Sequence, residues 1–397
     1  MRRNLLGALL SFAFLFSFAL GLGNAQAGSE VGFKALHNFT GGPDGCCIYA
    51  GLARDRAGNL YGVAYINDDN SGAGDLFELT WTSRGYGFRV LQRFSAANGL
   101  CMASPSFDGA GNLFGVCAGS LDDGTLWEYS NSGKFSILHA FNGPEDGAEP
   151  QGSVALDQFG NIFGTAYTYG PGGSGTLWEY SLSSGVFTVL HSFADGDDGG
   201  LLPAGPAIDH AGRLWGTTAS GPNCYYCGAG TVWNYDLSSG TFATILDFSA
   251  SGIQNPQSSL TIDADNNLFG TAFGPNPNDC GLVYELQSSK SYAPALVHPF
   301  TSGKSDGCLA YGNVAQVAGG RLIGATYAGG SFGDGTVYEL EPVNGGWRET
   351  ILYSFNISDG LRPQSGLITD GKTNWFGTTS EGGNYGQGVV FELSGVR

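Results

Sequence analysis

Residues 157–164 read Asp157-Gln158-Phe159-Gly160-Asn161-Ile162-Phe163-Gly164. An aspartate opens a turn, a glycine follows three residues on, and an apolar pair is closed by a second glycine. The closing phrase recurs as Leu60-Tyr61-Gly62, Leu113-Phe114-Gly115, Leu214-Trp215-Gly216, Leu268-Phe269-Gly270, Leu322-Ile323-Gly324 and Trp375-Phe376-Gly377. Successive glycines lie 53, 49, 52, 54, 54 and 53 residues apart. That period is too long for a helical pair and fits one four-stranded propeller blade. The fold class is therefore all-β, a seven-bladed β-propeller of ~53-residue repeats.

Each unit divides into four strands. A short apolar first strand such as Ser153-Val154-Ala155-Leu156 leads to the turn, which starts at Asp55, Asp108, Asp157, Asp209, Asp263 and Asp370 in six of the seven units. Gly58, Gly111, Gly160 and Gly212 then suit a positive φ, and Asn266 takes that place in the fifth unit. The apolar phrase is the second strand. A Gly-rich loop precedes a third strand such as Gly175-Thr176-Leu177-Trp178-Glu179-Tyr180, and a Ser/Gly turn precedes a fourth, Phe187-Thr188-Val189-Leu190-His191-Ser192-Phe193. Alternation of apolar with small or polar residues supports strands throughout. The chain begins with a lone fourth strand, residues 32–39, and ends with a lone third strand, residues 388–393. Together they complete one blade, so the closing blade is shared between the termini and no sheet edge is left open.

The first 27 residues read as a secretory signal: Arg2 and Arg3, an apolar run from Leu5 to Leu22, then Ala25-Gln26-Ala27 as the cleavage pattern. The mature chain is expected to be one domain, 28–397, soluble and monomeric, with no membrane span once the signal is cleaved. Charged residues make up only 13% and aromatics another 13%, which excludes a disordered chain. The net charge of −18 would repel phosphate backbones and anionic membranes, which argues against a nucleic-acid partner.

The aspartate-glycine-asparagine turn, the Leu-Phe/Tyr-Gly-Thr strand, the Gly-rich loop and the Gly-Thr-Val-aromatic-Glu-Leu strand resemble the choice-of-anchor tandem repeat GloVer-containing proteins of bacteria. The resemblance covers the whole mature chain. It implies a secreted repeat protein and carries no particular activity. The family name implies varied C-terminal surface anchors, and no sorting tail is read after Val396-Arg397.

A residue repeated in every unit serves the architecture, whereas a single site must break the symmetry. On that test the third-strand glutamates (Glu78, Glu128, Glu179, Glu285, Glu339 and Glu392) are structural, with hydrogen bonds expected within or between blades. Four fourth-strand histidines, His37, His139, His191 and His298, share one slot, and a packing or hydrogen-bonding role is expected of them. His210, in a turn, is expected to be exposed. Phe114, Trp215 and Phe376 are assigned to the core between blades.

The loops vary, so the ligand-binding candidates come from them. They are the Tyr225-Tyr226 pair, the acidic Asp195 and Asp306, and Gln151, Gln257 and Gln364, each after a proline near the channel mouth. The acidic loops offer oxygen ligands for calcium, although no spacing matches an EF-hand. All eight cysteines fall in loops, and an even count in an exported chain favours disulfides. The fold makes Cys101–Cys117 and Cys280–Cys308 neighbours, Cys224–Cys227 closes the Tyr-Tyr loop on itself, and Cys46–Cys47 is left as an adjacent pair.

Three functions remain. The first is non-catalytic binding of a carbohydrate or another extracellular macromolecule. The second is a structural envelope component with a protein partner. The third is a glycoside hydrolase or lyase using loop carboxylates. The sequence contains no catalytic motif that selects the third, and fold analogy alone does not establish it.

Overall fold

A computed structural model describes residues 31–65, 73–119, 123–221, 229–273, 280–301 and 303–396. Within Val31–Arg397 the strands form seven antiparallel blades, each a sheet in simple first-to-fourth order. The first strands are Ala53–Arg54, Ser106–Phe107, Ala155–Leu156, Ala207–Ile208, Thr261–Ile262, Ala315–Gln316 and Ile368–Thr369, and they open blades 1 to 7 respectively. Blade 7 is closed as expected. Gly32–Asn38 pairs with Val389–Ser394, with Gly32 opposite Ser394 and Asn38 opposite Val389. The Thr378 hydroxyl then donates to the Ala50 carbonyl at 2.8 Å, fastening blade 7 to blade 1.

The glycine that ends the repeated phrase has a steric cause. Gly164 lies opposite Trp178 in the sheet, and a Cβ there would sit 2.1 Å from Trp178 Cζ2. The same arrangement pairs Gly62 with Phe77, Gly270 with Tyr284 and Gly324 with Tyr338. Each third-strand aromatic thus lies flat over the second strand of its own blade. These rings are buried, as are Phe114, Trp215 and Phe376 between the blades. The innermost strands approach still more closely: a Cβ on Gly205 would meet the Ser153 carbonyl oxygen at 1.7 Å, so backbone packs directly on backbone around the axis.

The turns follow the sequence reading. Asp157 accepts from the Asn161 backbone N–H and Nδ2, both at 2.9 Å, and from the Phe159 N–H at 2.8 Å. Gly58 has φ +94° and Asn266 +59°. Antiparallel order places the aspartate turns and the third-to-fourth turns on one face of the ring. The loops between blades share the opposite face with the second-to-third connections.

One feature of the fourth strands escapes a simple alternation. In every blade the pairing of third and fourth strands slips by one residue, for example between Leu177 and Trp178, which pair with His191 and Val189. A bulge of this kind moves the following side chain to the other face of the sheet. Phe187 therefore faces the preceding blade, stacked 3.7 Å from His139. His191 faces the next blade, stacked 3.6 Å from Phe242.

Disulfides join Cys46 to Cys47, Cys101 to Cys117 and Cys280 to Cys308. Cys224, Cys227, Tyr225 and Tyr226 lie outside the described residues, as does the whole of residues 1–30. No helix among the described residues is long and apolar enough to cross a membrane.

Candidate functional site

On the loop face most acidic side chains already have partners. Each slot histidine reaches an aspartate in the loop that follows it. The Nε2–oxygen distances are 3.0 Å for His37–Asp44, 2.8 Å for His139–Asp146 and 3.0 Å for His191–Asp198. Burial holds His37 and His191 below the ordinary imidazole value, against the upward pull of Asp44 and Asp198. Blade 6 keeps the pattern with Tyr353, whose hydroxyl donates to Asp359 at 2.5 Å. The histidines thus have the packing and hydrogen-bonding role that their repetition suggested.

Asp195, Asp306, Gln257 and Gln364 have local partners in different blades, and Tyr225 and Tyr226 lie outside the described residues. Asp195, between blades 3 and 4, accepts from the Ser220 hydroxyl at 2.6 Å. Asp306, between blades 5 and 6, is buried beside His298. Gln364 donates to the Ser380 hydroxyl at 3.1 Å and Gln257 to the Asn255 carbonyl at 3.3 Å, while Gln151 is half-buried.

The turn face carries two grooves. The larger, about 740 Å³, lies between blades 1 and 2 and is lined by Arg54, Arg56, Tyr61, Arg89, Phe107 and Tyr129, with Asp55, Glu78 and Asp108 beside them. It breaks the repeat. The positions of Arg54, Arg56 and Arg89 carry Phe107, Gly109 and Ser136 one blade on, and Leu156, Gln158 and Thr188 in the blade after that. Arg56 and Arg89, two of only 17 lysines and arginines in the chain, therefore line the same groove. The Glu78 side chain is only 3% exposed and is neutralised by Arg89. The Tyr61 hydroxyl bridges Glu78 at 3.1 Å and Asp55 at 3.2 Å. Burial first, then the Glu78 and Asp55 charges, hold the Tyr61 phenol far above its usual value. Arg54 Nε is buried without a hydrogen-bond partner, while the Arg54 side chain is hydrogen-bonded to Tyr86, which packs on Phe376 of blade 7.

The second groove, about 620 Å³, lies between blades 3 and 4 and includes Phe159, Glu179, Asp209 and the exposed His210. Phe159 is 75% exposed at its lip, where most other turns place a small or charged residue. The sequence signal for both grooves was present as departures within the turns, which regularity elsewhere in the turn motif obscured.

The molecule is a single-ring repeat propeller whose asymmetry is concentrated in a few slots. The chain belongs to the Gloeobacter/Verrucomicrobia repeat family, whose model matches residues 25–229, 107–271 and 225–396. No curated protein matches it. Among solved structures, the extracellular domain of BT4673 from B. thetaiotaomicron superimposes with a TM-score of 0.58 at 14% identity, covering 92% of this chain and 42% of that one. An oligogalacturonate lyase from Vibrio parahaemolyticus gives 0.57 at 11% identity, covering 92% and 97%. PorZ, a surface component of the type-IX secretion system of Porphyromonas gingivalis, gives 0.55 at 14% identity, covering 90% and 48%. The chain thus spans less than half the length of the BT4673 and PorZ structures, and at these identities the likeness is one of fold.

Proposed function

We propose that this protein is a secreted or surface-exposed propeller that binds a carbohydrate without transforming it, and that the groove between blades 1 and 2 holds the ligand. The observation that carries the reading is the composition of that groove. Tyr61, Phe107 and Tyr129 supply aromatic surface, and the exposed Arg56 and Arg89 supply cationic donors beside it. A volume of about 740 Å³ falls in the range of small-ligand sites, where a few polar groups in an aromatic lining fix orientation. The nearby carboxylates are engaged by Arg89, Tyr61 and the turn asparagines, which favours binding over acid–base chemistry. Secretion is supported by the N-terminal pattern, by three disulfides and by neighbours described as extracellular or surface components.

The test is a panel of neutral and acidic oligosaccharides, read by thermal shift and calorimetry. Gly109 lines the groove and has open space around its Cβ direction, so Gly109→Trp fills the groove without disturbing packing. Binding by the native chain that is lost in G109W and weakened in Arg56→Ala supports the proposal. Binding that survives G109W, or no binding across the panel, overturns it. A product released from the bound saccharide would move the assignment to a lyase or hydrolase. An inert groove together with a captured protein partner would favour a scaffold.

A further inference from the structure

The fourth histidine slot differs from the other three. His37, His139 and His191 each stack on a phenylalanine of the next blade, namely Phe88, Phe187 and Phe242. The corresponding position opposite His298 is Glu349, which pairs with Leu340 as Phe187 does with Tyr180. Its side chain is only 10% exposed. Glu349 Oε1 is buried and has no hydrogen-bond partner. Replacing an aromatic ring with a buried carboxylate that leaves one oxygen unpaired costs stability unless something is bound to it.

The neighbouring groups are arranged as ligands. His298 Nε2 lies 3.4 Å from Asp306 Oδ1 and 3.6 Å from Glu349 Oε2, longer than the 2.8–3.0 Å of the three ordinary histidine–aspartate pairs. One ligand atom from each of the three residues falls within a 4.8 Å cluster. Asp306 is fixed from behind by the Thr301 N–H and hydroxyl, at 2.7 and 2.5 Å to Oδ2, and by the Gly307 N–H at 2.7 Å to Oδ1. Such second-sphere hydrogen bonds orient metal-binding carboxylates. The Cys280–Cys308 disulfide anchors the loop that bears Asp306.

We propose that His298, Asp306 and Glu349 form a binding site for one divalent first-row cation of the zinc type, at the rim between blades 5 and 6. One imidazole and two carboxylates suit zinc, whose bonds of about 2.0–2.2 Å put tetrahedral ligands about 3.4 Å apart. Calcium takes six to eight oxygens at longer distances and seldom an imidazole. His298 is 18% exposed, so the cluster lies close to solvent. The site is on the opposite face from the arginine groove and does not depend on its function.

The test uses the whole oxidised chain after chelator treatment, titrated with zinc and separately with calcium by calorimetry and thermal melting. One equivalent of zinc should bind and raise the melting temperature, with no comparable response to calcium. Glu349→Phe restores the residue type of the other blades, so it should fold at least as well and lose zinc affinity by 100-fold or more. Glu349→Gln, which keeps the shape, should lose affinity similarly, whereas His191→Ala should bind zinc as the native chain does. Absence of a one-equivalent zinc event overturns the proposal, as does undiminished affinity in both Glu349 variants. A proton shared by the two carboxylates would give the first of these results.

Discussion

In blade 3 the turn aspartate Asp157 holds Asn161, and the third-strand slot beneath carries Glu179. In blade 6 the turn positions carry Val317 and Arg321, and Arg321 is paired with Glu339 in the same slot. The turn itself survives, closed by the Val317 N–H donating to the Arg321 carbonyl at 2.9 Å. Blade 4 solves the problem a third way: Arg213 pairs with Asp209 at 2.8 Å, and Asn234 replaces the glutamate. Where an arginine takes the place of the turn asparagine, as at Arg213 and Arg321, one of the two carboxylates is missing and the other takes the arginine. The charge rule is thus one carboxylate against one arginine in blade 6 and two carboxylates without an arginine in blade 3, and the two blades can be tested against each other slot by slot.

The largest expected effect is common to both blades. Gly164→Ala forces a Cβ to within 2.1 Å of the Trp178 ring, which is buried and rigid. Overpacking of this kind costs about 3 kcal/mol, and urea denaturation should show the midpoint fall accordingly. The second effect separates the blades. Glu339→Gln removes the partner of Arg321, whose side chain is 24% exposed, and should cost about 1.5 kcal/mol. An unchanged midpoint would show that the ion pair contributes nothing to blade 6.

A third effect should have the opposite sign. The Tyr338 hydroxyl in blade 6 is buried without a partner, and burial holds its phenol far above the usual value. Blades 1 and 7 place Phe77 and Phe391 over the equivalent glycines. Tyr338→Phe should therefore stabilise the fold by about 1 kcal/mol, because an unsatisfied polar group is removed without leaving a cavity. A loss of stability would instead reveal a buried water bound to the hydroxyl.

Much of this architecture was legible in the sequence because a repeat states each rule seven times. The period fixed the blade, the split ends fixed the closure, and the cysteine positions anticipated three of the pairings found. The histidine–aspartate pairs were visible as a spacing of seven residues in three loops and eight in the fourth. The ring on which each histidine stacks was not visible, because the bulge before His191 reverses which face that side chain takes. Local alternation predicts the wrong neighbour at that point. The arginine groove was missed for a related reason: Arg56 and Arg89 are far apart in sequence, and only the antiparallel pairing of the blade's strands brings them to one groove.

The smallest effect is the most sensitive probe of the charge rule. In blade 3 the Glu179 carboxyl is raised above its ordinary value, chiefly by burial and secondarily by the charge of Asp157. A carboxyl whose folded pKa is raised favours folding in its protonated form. That contribution is present at low pH and is lost as the pH rises through the folded pKa. Glu179→Gln mimics the neutral form, so it should raise the melting temperature slightly at pH 7, by less than about 1 kcal/mol for a group open to solvent screening. The difference between variant and native chain should shrink as the pH falls through the raised folded pKa, and the change should be complete below the ordinary glutamate value of about 4.3. The same exchange at Glu339 has the opposite sign at pH 7, because there the carboxylate has Arg321 beside it. Melting curves of the two variants against the native chain, taken from pH 3 to pH 8, give the comparison directly. Equal signs at neutral pH would mean that the slot is indifferent to its turn, and the charge rule would fail.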